Sequence, residues 1–267
     1  MKPRIDAGTS LTKQDIADLI DHALLKPELT PDSVRQSVTE LAGQRIWSVC
    51  VRPSDVALAA AAISAVPDSP TRVCTVIGFP HGTTSTAAKV AEAAQAMVDG
   101  ATELDMVLNI GRLIGGRIEE VQADIAAVVQ VGHDRGALVK VIFETALLNE
   151  EQKIAACHAS EAAGADFVKT STGFAGGGAT VADIALMREH CADSVAIKAS
   201  GGVRDIDTAL AMVAQGATRL GTSSTSALLA EAETRESEGA MVVPSAGIKD
   251  DWKDLPSGSR HPVSDTY

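Results

Sequence analysis

Three segments far apart in the chain are built alike: DGATELD (99–105), AGADFVK (163–169) and QGATRLG (215–221). In each, a helix-type run stops at Gly-Ala, and a strand-type run starts within two residues. Glycine closes a helix in the left-handed conformation, and alanine lets the chain turn tightly toward a sheet. A junction repeated in this way means one architectural unit used several times. It constrains the fold more than any other feature of the sequence.

Strand-type runs recur on both sides of these junctions. They are LIDHALL (19–25), IWSVCV (46–51), RVCTVIGF (72–79), ELDMVLN (103–109), LVKVIFET (138–145), DFVKTST (166–172), SVAIKAS (194–200) and TRLGTSS (218–224). Seven helix candidates fall near 55–66, 84–98, 117–131, 150–163, 180–191, 205–215 and 224–236, several of them opened by good capping residues. Alternation of this kind implies parallel βαβ units. Eight strands with eight helices close as a (β/α)8 TIM barrel, an α/β fold whose usual length of ~250 residues is close to this chain's. The competing architecture is an open doubly wound sheet, but no GxGxxG follows the first strand. The barrel is expected to span 1–236. Residues 237–267, richer in Gly, Ser, Pro and charge, read as a loose C-terminal tail.

Composition narrows the partners. Hydrophobic residues make up 45% but aromatics only 3%, so Ala, Val, Leu and Ile must fill the core. A formal charge of −12 argues against nucleic acid, whose phosphates need a basic footprint. It leaves room for a small phosphorylated ligand at a local positive site. No apolar run reaches ~18 residues, so no membrane span is expected, and the N-terminus shows no signal-peptide pattern. Four cysteines without CxxC spacing fit a reducing cytoplasm. Six histidines without HxH or HExxH spacing give no metal site.

Barrel enzymes place their chemistry at the C-terminal ends of the strands. Asp105, Lys140, Lys169 and Lys198 all lie in predicted strands, with Cys50 near the end of another. If Leu104, Met106 and Leu108 face the helices, alternation turns Asp105 inward, and likewise Lys169 and Lys198. A single lysine at a strand end is ordinarily solvated. Here two fall on consecutive parallel strands, where like charges ~5 Å apart at a dielectric of ~20 repel by about 3 kcal/mol. That repulsion, with burial, favours the neutral form of one lysine. A neutral amine adds to carbonyls and forms a Schiff base. Asp105 would balance the remaining ammonium and move protons. A buried Lys–Asp–Lys network that only ties strands together is the structural alternative. Two further loops look suited to phosphate: KASGGVRD (198–205), with Gly201 and Gly202 before a helix, and LGTSSTSALL (220–229), with Gly221, Ser223 and Ser224.

DHALLKP, VCVRP, ELDMVLN, KVIFET, AGADFVKTSTGF, IKASGGVRD and RLGTSS occur in this order from about 19 to 227. Together they resemble the deoxyribose-phosphate aldolases. The resemblance implies a class I, metal-independent aldolase without a cofactor. Such an enzyme interconverts 2-deoxy-D-ribose 5-phosphate with acetaldehyde and D-glyceraldehyde 3-phosphate. It makes Lys169 the Schiff-base lysine, Lys198 the lysine that perturbs it, and Asp105 the proton-relay carboxylate. Gly173, Gly201, Gly202, Ser223 and Ser224 match phosphate-binding positions, and Cys50 a thiol near the site. The implied partners are small phosphosugars and aldehydes, with neither nucleic acid nor membrane. A homo-oligomer such as a dimer is compatible with it.

Three positions stand apart. Ala23 replaces a threonine common in the family, and Phe174 stands where some members carry a phosphate-binding lysine. Tyr267 is the only tyrosine and the last residue. Some members end in a tyrosine that folds over the site and moves the proton at the donor carbon. Two other readings compete: a transaldolase-like Schiff-base enzyme with a three-carbon donor, and a non-catalytic sugar-phosphate binding protein. The second has no need of two inward lysines with Asp105.

Overall fold

The three Gly-Ala junctions behave alike. Gly100, Gly164 and Gly216 have φ of 112°, 81° and 105°, and each ends a helix and hands the chain to a strand. In this computed structural model, which describes residues 4–246, that unit repeats until the sheet closes. The chain runs through α1 (Lys13–Ala17), β1 (Ile20–Leu24), α2 (Pro31–Gly43), β2 (Ser48–Val51), α3 (Val56–Ser64), β3 (Arg72–Ile77), α4 (Thr86–Val98) and β4 (Glu103–Val107). It continues through α5 (Ile110–Ile114), α6 (Ile118–His133), β5 (Leu138–Ile142), α7 (Glu150–Ala162), β6 (Phe167–Lys169), α8 (Val181–His190), β7 (Ala196–Ser200), α9 (Ile206–Ala214), β8 (Arg219–Thr222) and α10 (Thr225–Ser237). The strands pair in order, all parallel, and β8 closes on β1 with Leu220 opposite Ile20. This is the (β/α)8 barrel expected from the alternation.

Local chemistry starts the helices where the backbone needs donors satisfied. Thr30 caps α2 ahead of Pro31, Ser85 caps α4, Thr180 caps α8 and Asp205 caps α9. Asn149 and Gln152 form a reciprocal capping box on α7. Between the barrel and its helices lies a continuous layer of Val, Ile, Leu and Ala, including Val49, Leu104, Met106, Val141, Ile197 and Leu220, all fully buried.

Helix α2 was not among the seven candidates. Its sequence is poor in alanine, and only Val34, Val38, Leu41 and Ala42 are buried, a single stripe at helical spacing. The strands are also shorter than the apolar runs that announced them. The run from 138 to 145 is a strand only to Ile142, because Glu144 turns left-handed and 145–147 form a 3-10 turn. Beyond α10 the chain packs back on the barrel: Val242 bridges Ser10, and Met241 and Val243 are buried.

Candidate active site

Alternation along β4 sends Leu104 and Met106 into the helix layer and Asp105 into the barrel. Asp105 is a hub for three lysines. Its Oδ1 accepts from Lys140 Nζ at 2.7 Å and from the Cys74 thiol at 3.2 Å. Its Oδ2 accepts from Lys169 at 2.7 Å and Lys198 at 2.8 Å. Lys169 and Lys198 are register partners on β6 and β7. They are the expected neighbours, joined by one carboxylate oxygen.

Deeper in the barrel every charge has several partners. Lys140 lies 2.6 Å from Glu103 and 3.6 Å from Asp21, and Lys198 lies 2.5 Å from Asp21. Arg219 donates to Asp21 at 2.8 Å and to Glu103 at 3.0 Å, with its guanidinium over the rings of Trp47 and Phe167. Trp47 Nε1 donates to Glu103 at 2.6 Å, and Ser48 Oγ to Asp21 at 2.6 Å.

These contacts set the protonation states. Burial opposes the charged form of Asp105, but Lys140, Lys169 and Lys198 outweigh it and hold the carboxyl well below its usual range. Burial likewise works against ionised Asp21 and Glu103, and the cations around them pull both pKa values down. The sequence expectation made Lys198 the charged neighbour of Lys169. Burial lowers its pKa, yet Asp105 and Asp21 reverse that and raise it, so Lys198 stays an ammonium. Lys140 is raised for the same reason. Three cations (Lys140, Lys198, Arg219) therefore face three anions (Asp21, Glu103, Asp105). Lys169 is the fourth cation, and the cluster is electrically balanced when its amine is neutral.

Above this cluster opens a cavity of about 860 Å³. Lys169, Lys198, Cys50, Gly173, Gly201, Gly202, Ser223 and Ser224 all line it, so the structure brings these sequence-derived candidates together. Asp105 lies beneath, touching both lysines. Tyr267 lies outside the described residues. Much of the remaining wall is backbone and hydroxyl. Gly201 and Gly202 have φ of 83° and 86°. A Cβ on Gly201 would meet the Gly178 Cα at 2.9 Å, so two glycine loops can touch only because side chains are absent. Ser223 and Ser224 sit at the N-terminus of α10, where no side chain caps the helix. Exposed N–H groups and a helix dipole there suit an anion.

Several residues of the site were not anticipated. Asp21, Glu103 and Arg219 complete the charge cluster, and Lys140 had been noted in a strand without a role. Glu103 stands two residues before Asp105 on one strand, and Arg219 two before Gly221 on another, so alternation alone carries the signal. Lys26 and Arg204 also line the cavity and supply positive charge. Phe174 is 47% exposed at the rim and meets Phe79 edge-on with centroids 5.2 Å apart. Ala23 presents only a methyl group to the cavity.

Glu144 is the least expected. It is 1% exposed, holds a left-handed backbone at φ 59°, and accepts hydrogen bonds from the Thr172 hydroxyl and from Thr172 N, the latter at 3.2 Å. Its other oxygen has no hydrogen-bond partner among the described residues. Burial raises its pKa. Arg45 and Asp68 are the other non-glycine residues with such a φ among the described residues. No sequence pattern marks Glu144, since the strain appears only once the strand end is folded.

The comparisons agree with this geometry. A protein-family model described as DeoC/LacD family aldolase matches residues 6–251. The chain belongs to this family. A deoxyribose-phosphate aldolase of Halalkalibacterium halodurans is 52% identical over 210 residues, which cover 79% of this chain and 92% of the relative. One from Staphylococcus haemolyticus is 51% identical over 207 residues, covering 78% and 92%. The solved structure of the tetrameric deoxyribose phosphate aldolase of Aeropyrum pernix superposes with a TM-score of 0.76 at 31% identity, covering 82% of this chain and 91% of that one.

Proposed function

We propose that the protein is a class I aldolase that reversibly cleaves 2-deoxy-D-ribose 5-phosphate to acetaldehyde and D-glyceraldehyde 3-phosphate, a step of deoxyribose phosphate catabolism. The observation that carries this reading is the position of Lys169. It is the one cation of the interior cluster left over after charge pairing, and it lines a cavity that glycine and serine loops also line.

In cleavage, neutral Lys169 adds to the open-chain aldehyde, and loss of water gives a protonated imine. The imine draws electrons from the breaking C–C bond as a base removes the proton from the hydroxyl of the departing carbon. Glyceraldehyde 3-phosphate leaves, and an enamine remains. Protonation of the enamine and hydrolysis release acetaldehyde and restore Lys169. Asp105, which hydrogen-bonds both Lys169 and Lys198, relays protons with a water. Lys198 holds a positive charge next to Lys169, on the same Asp105 oxygen. Gly173, Gly201, Gly202, Ser223 and Ser224 grip the phosphate, with Arg204 and Lys26 supplying the charge that Phe174 does not. Binding energy from this remote group orients the reacting carbons. Cys50 lines the wall beside the lysines.

The reaction needs no metal, since the imine is the electron sink. A coupled assay for glyceraldehyde 3-phosphate release from deoxyribose 5-phosphate tests the reading. Release that continues in EDTA is the expected result. Failure to release the triose, or loss in EDTA restored by a divalent ion, contradicts it.

A further inference from the structure

All four cysteines are free, buried thiols, and they stand as two pairs. Cys157 on α7 and Cys191 after α8 are neighbours away from the cavity. The other pair is at the site. Cys50 and Cys74 are register partners on the adjacent parallel strands β2 and β3. Neighbouring strands lie ~4.8 Å apart, within the Cα separation of about 4.4–6.8 Å that a disulfide spans. The two sulfurs and an Asp105 oxygen all lie within 4.8 Å of one another.

Two thiols and a carboxylate at that spacing are ligands a thiophilic metal ion can use. The surroundings oppose a cation. Lys140 is 2.7 Å from the same carboxylate and 3.4 Å from Cys74 Sγ, and Lys169 and Lys198 are on its other oxygen. A neutral cross-link meets no such repulsion. Cys50 is 2% exposed and lines the cavity, whereas Cys74 is sealed behind it. A small oxidant entering the cavity therefore reaches Cys50 first and finds Cys74 placed as the resolving thiol. The neighbouring Cys74 thiol and the nearby lysines draw the Cys50 pKa down, which favours the attacking thiolate.

We infer that Cys50 and Cys74 are a modification site, a dithiol that hydrogen peroxide closes to a disulfide and that a thiol reductant reopens, with turnover lost and regained. The Cys50 thiolate attacks one oxygen of the peroxide, the O–O bond breaks, and the hydroxide released takes up a proton as water. The sulfenic acid formed is attacked by the Cys74 sulfur, which loses its proton as the S–S bond forms and a second water leaves. Two thiols and one hydrogen peroxide thus give one disulfide and two waters. Closure draws Cys74 Sγ away from its bonds with Asp105 and Lys140. Asp105 then loses one of the contacts that fix it between the lysines, and turnover falls on the order of tenfold.

The test treats the full-length protein with hydrogen peroxide, alkylates the remaining thiols after denaturation, maps peptides by mass, and follows turnover before and after dithiothreitol. The expected product is a Cys50–Cys74 linked peptide, with turnover lowered and then restored. In Cys74→Ser, measured against its own untreated rate, excess peroxide carries Cys50 on to sulfinic acid and dithiothreitol restores nothing. The inference is overturned if Cys50 and Cys74 stay alkylatable, if the only cross-link joins Cys157 to Cys191, or if the cross-linked protein keeps full turnover. The turnover readout rests on the aldolase reading. The mass readout does not, so a failed cross-link in an active enzyme is distinguishable from failure of that reading.

Discussion

The barrel interior holds the same side-chain chemistry at two depths, with different consequences. In the lower layer Arg219, Lys140, Asp21 and Glu103 each meet at least two opposite charges, and Trp47 and Ser48 take up further hydrogen-bonding capacity. In the upper layer Lys169 has one ion-pair partner among the described residues, the shared Oδ2 of Asp105, and its other side opens into the cavity. Burial by itself therefore does not make a lysine reactive. Lys89 is as buried as any, yet it is fixed by Asp124 at 2.5 Å and by the Val107 carbonyl at 2.9 Å, and it only ties α4 to its surroundings. Lys169 differs in being surplus to the charge balance and open on one face.

Substituting the two layers separates them most sharply. Lys169→Met should cut turnover on the order of 10⁴-fold or more while leaving the denaturation midpoint no lower, because the remaining charges balance. Arg219→Met should do the reverse to stability. It leaves Asp21 and Glu103 short of a cation, and breaking a buried pair costs about 3–5 kcal/mol, read as a lower urea midpoint. If Lys169→Met proves the less stable of the two, the distinction between layers is wrong.

A third group marks the boundary between them by pH. His22 lines the cavity, and its Nδ1 is 2.8 Å from the Thr225 hydroxyl. Burial pushes its pKa down to about 4 from 6.5. The folded state thus favours the neutral ring. Above about pH 6.5 both folded and unfolded chains hold it neutral, and this contribution is fully present. As pH falls from 6.5 toward 4, the unfolded chain binds a proton that the folded chain does not, and up to about 3 kcal/mol of stability is lost. Urea midpoints of wild type and His22→Gln, measured at pH 7.5 and 5, should show the smaller drop in the variant. Equal drops would remove His22 from the account.

Two smaller effects sharpen the upper layer. The proposed role of Tyr267 as proton donor at the donor carbon predicts that deleting it lowers turnover by about 10²-fold with no change in the denaturation midpoint; unchanged turnover removes the role. Glu144 accepts hydrogen bonds from Thr172, which lines the cavity next to Gly173. Glu144→Ala should raise KM for the phosphosugar about tenfold by releasing that loop. Glu144→Gln, which can still accept both Thr172 bonds, should recover most of it. A loss confined to kcat, or no rescue by Gln, would place Glu144 in the chemistry instead.

The sequence disclosed the barrel because its junctions are local. Gly-Ala pairs, caps and apolar runs carry their meaning within a few residues, and alternation along β4 was enough to turn Asp105 inward. Helix α2 escaped because its apolar stripe is thin and its composition polar. In the site, Lys169, Lys198 and Asp105 were readable as inward charges, and the glycine and serine loops as strand-end loops that meet at one cavity. The lower layer was not, because the meaning of Asp21, Glu103 and Arg219 depends on register between strands as far apart in sequence as β1 and β8. That omission left out the main partner of Lys198. Lys198 was expected as the charged neighbour of Lys169, and Asp21 at 2.5 Å supplies the reason it keeps that charge. Glu144 was invisible because its left-handed backbone is a property of the folded strand end.

The central claim is that Lys169, and not its charged neighbour Lys198, forms the covalent intermediate. Borohydride reduction in the presence of deoxyribose 5-phosphate, followed by peptide mapping, tests it directly. The account predicts a reduced sugar or two-carbon adduct on Lys169, and none there in Lys169→Met. An adduct on Lys198 in the wild-type enzyme, or no adduct in a preparation that turns over, would contradict it.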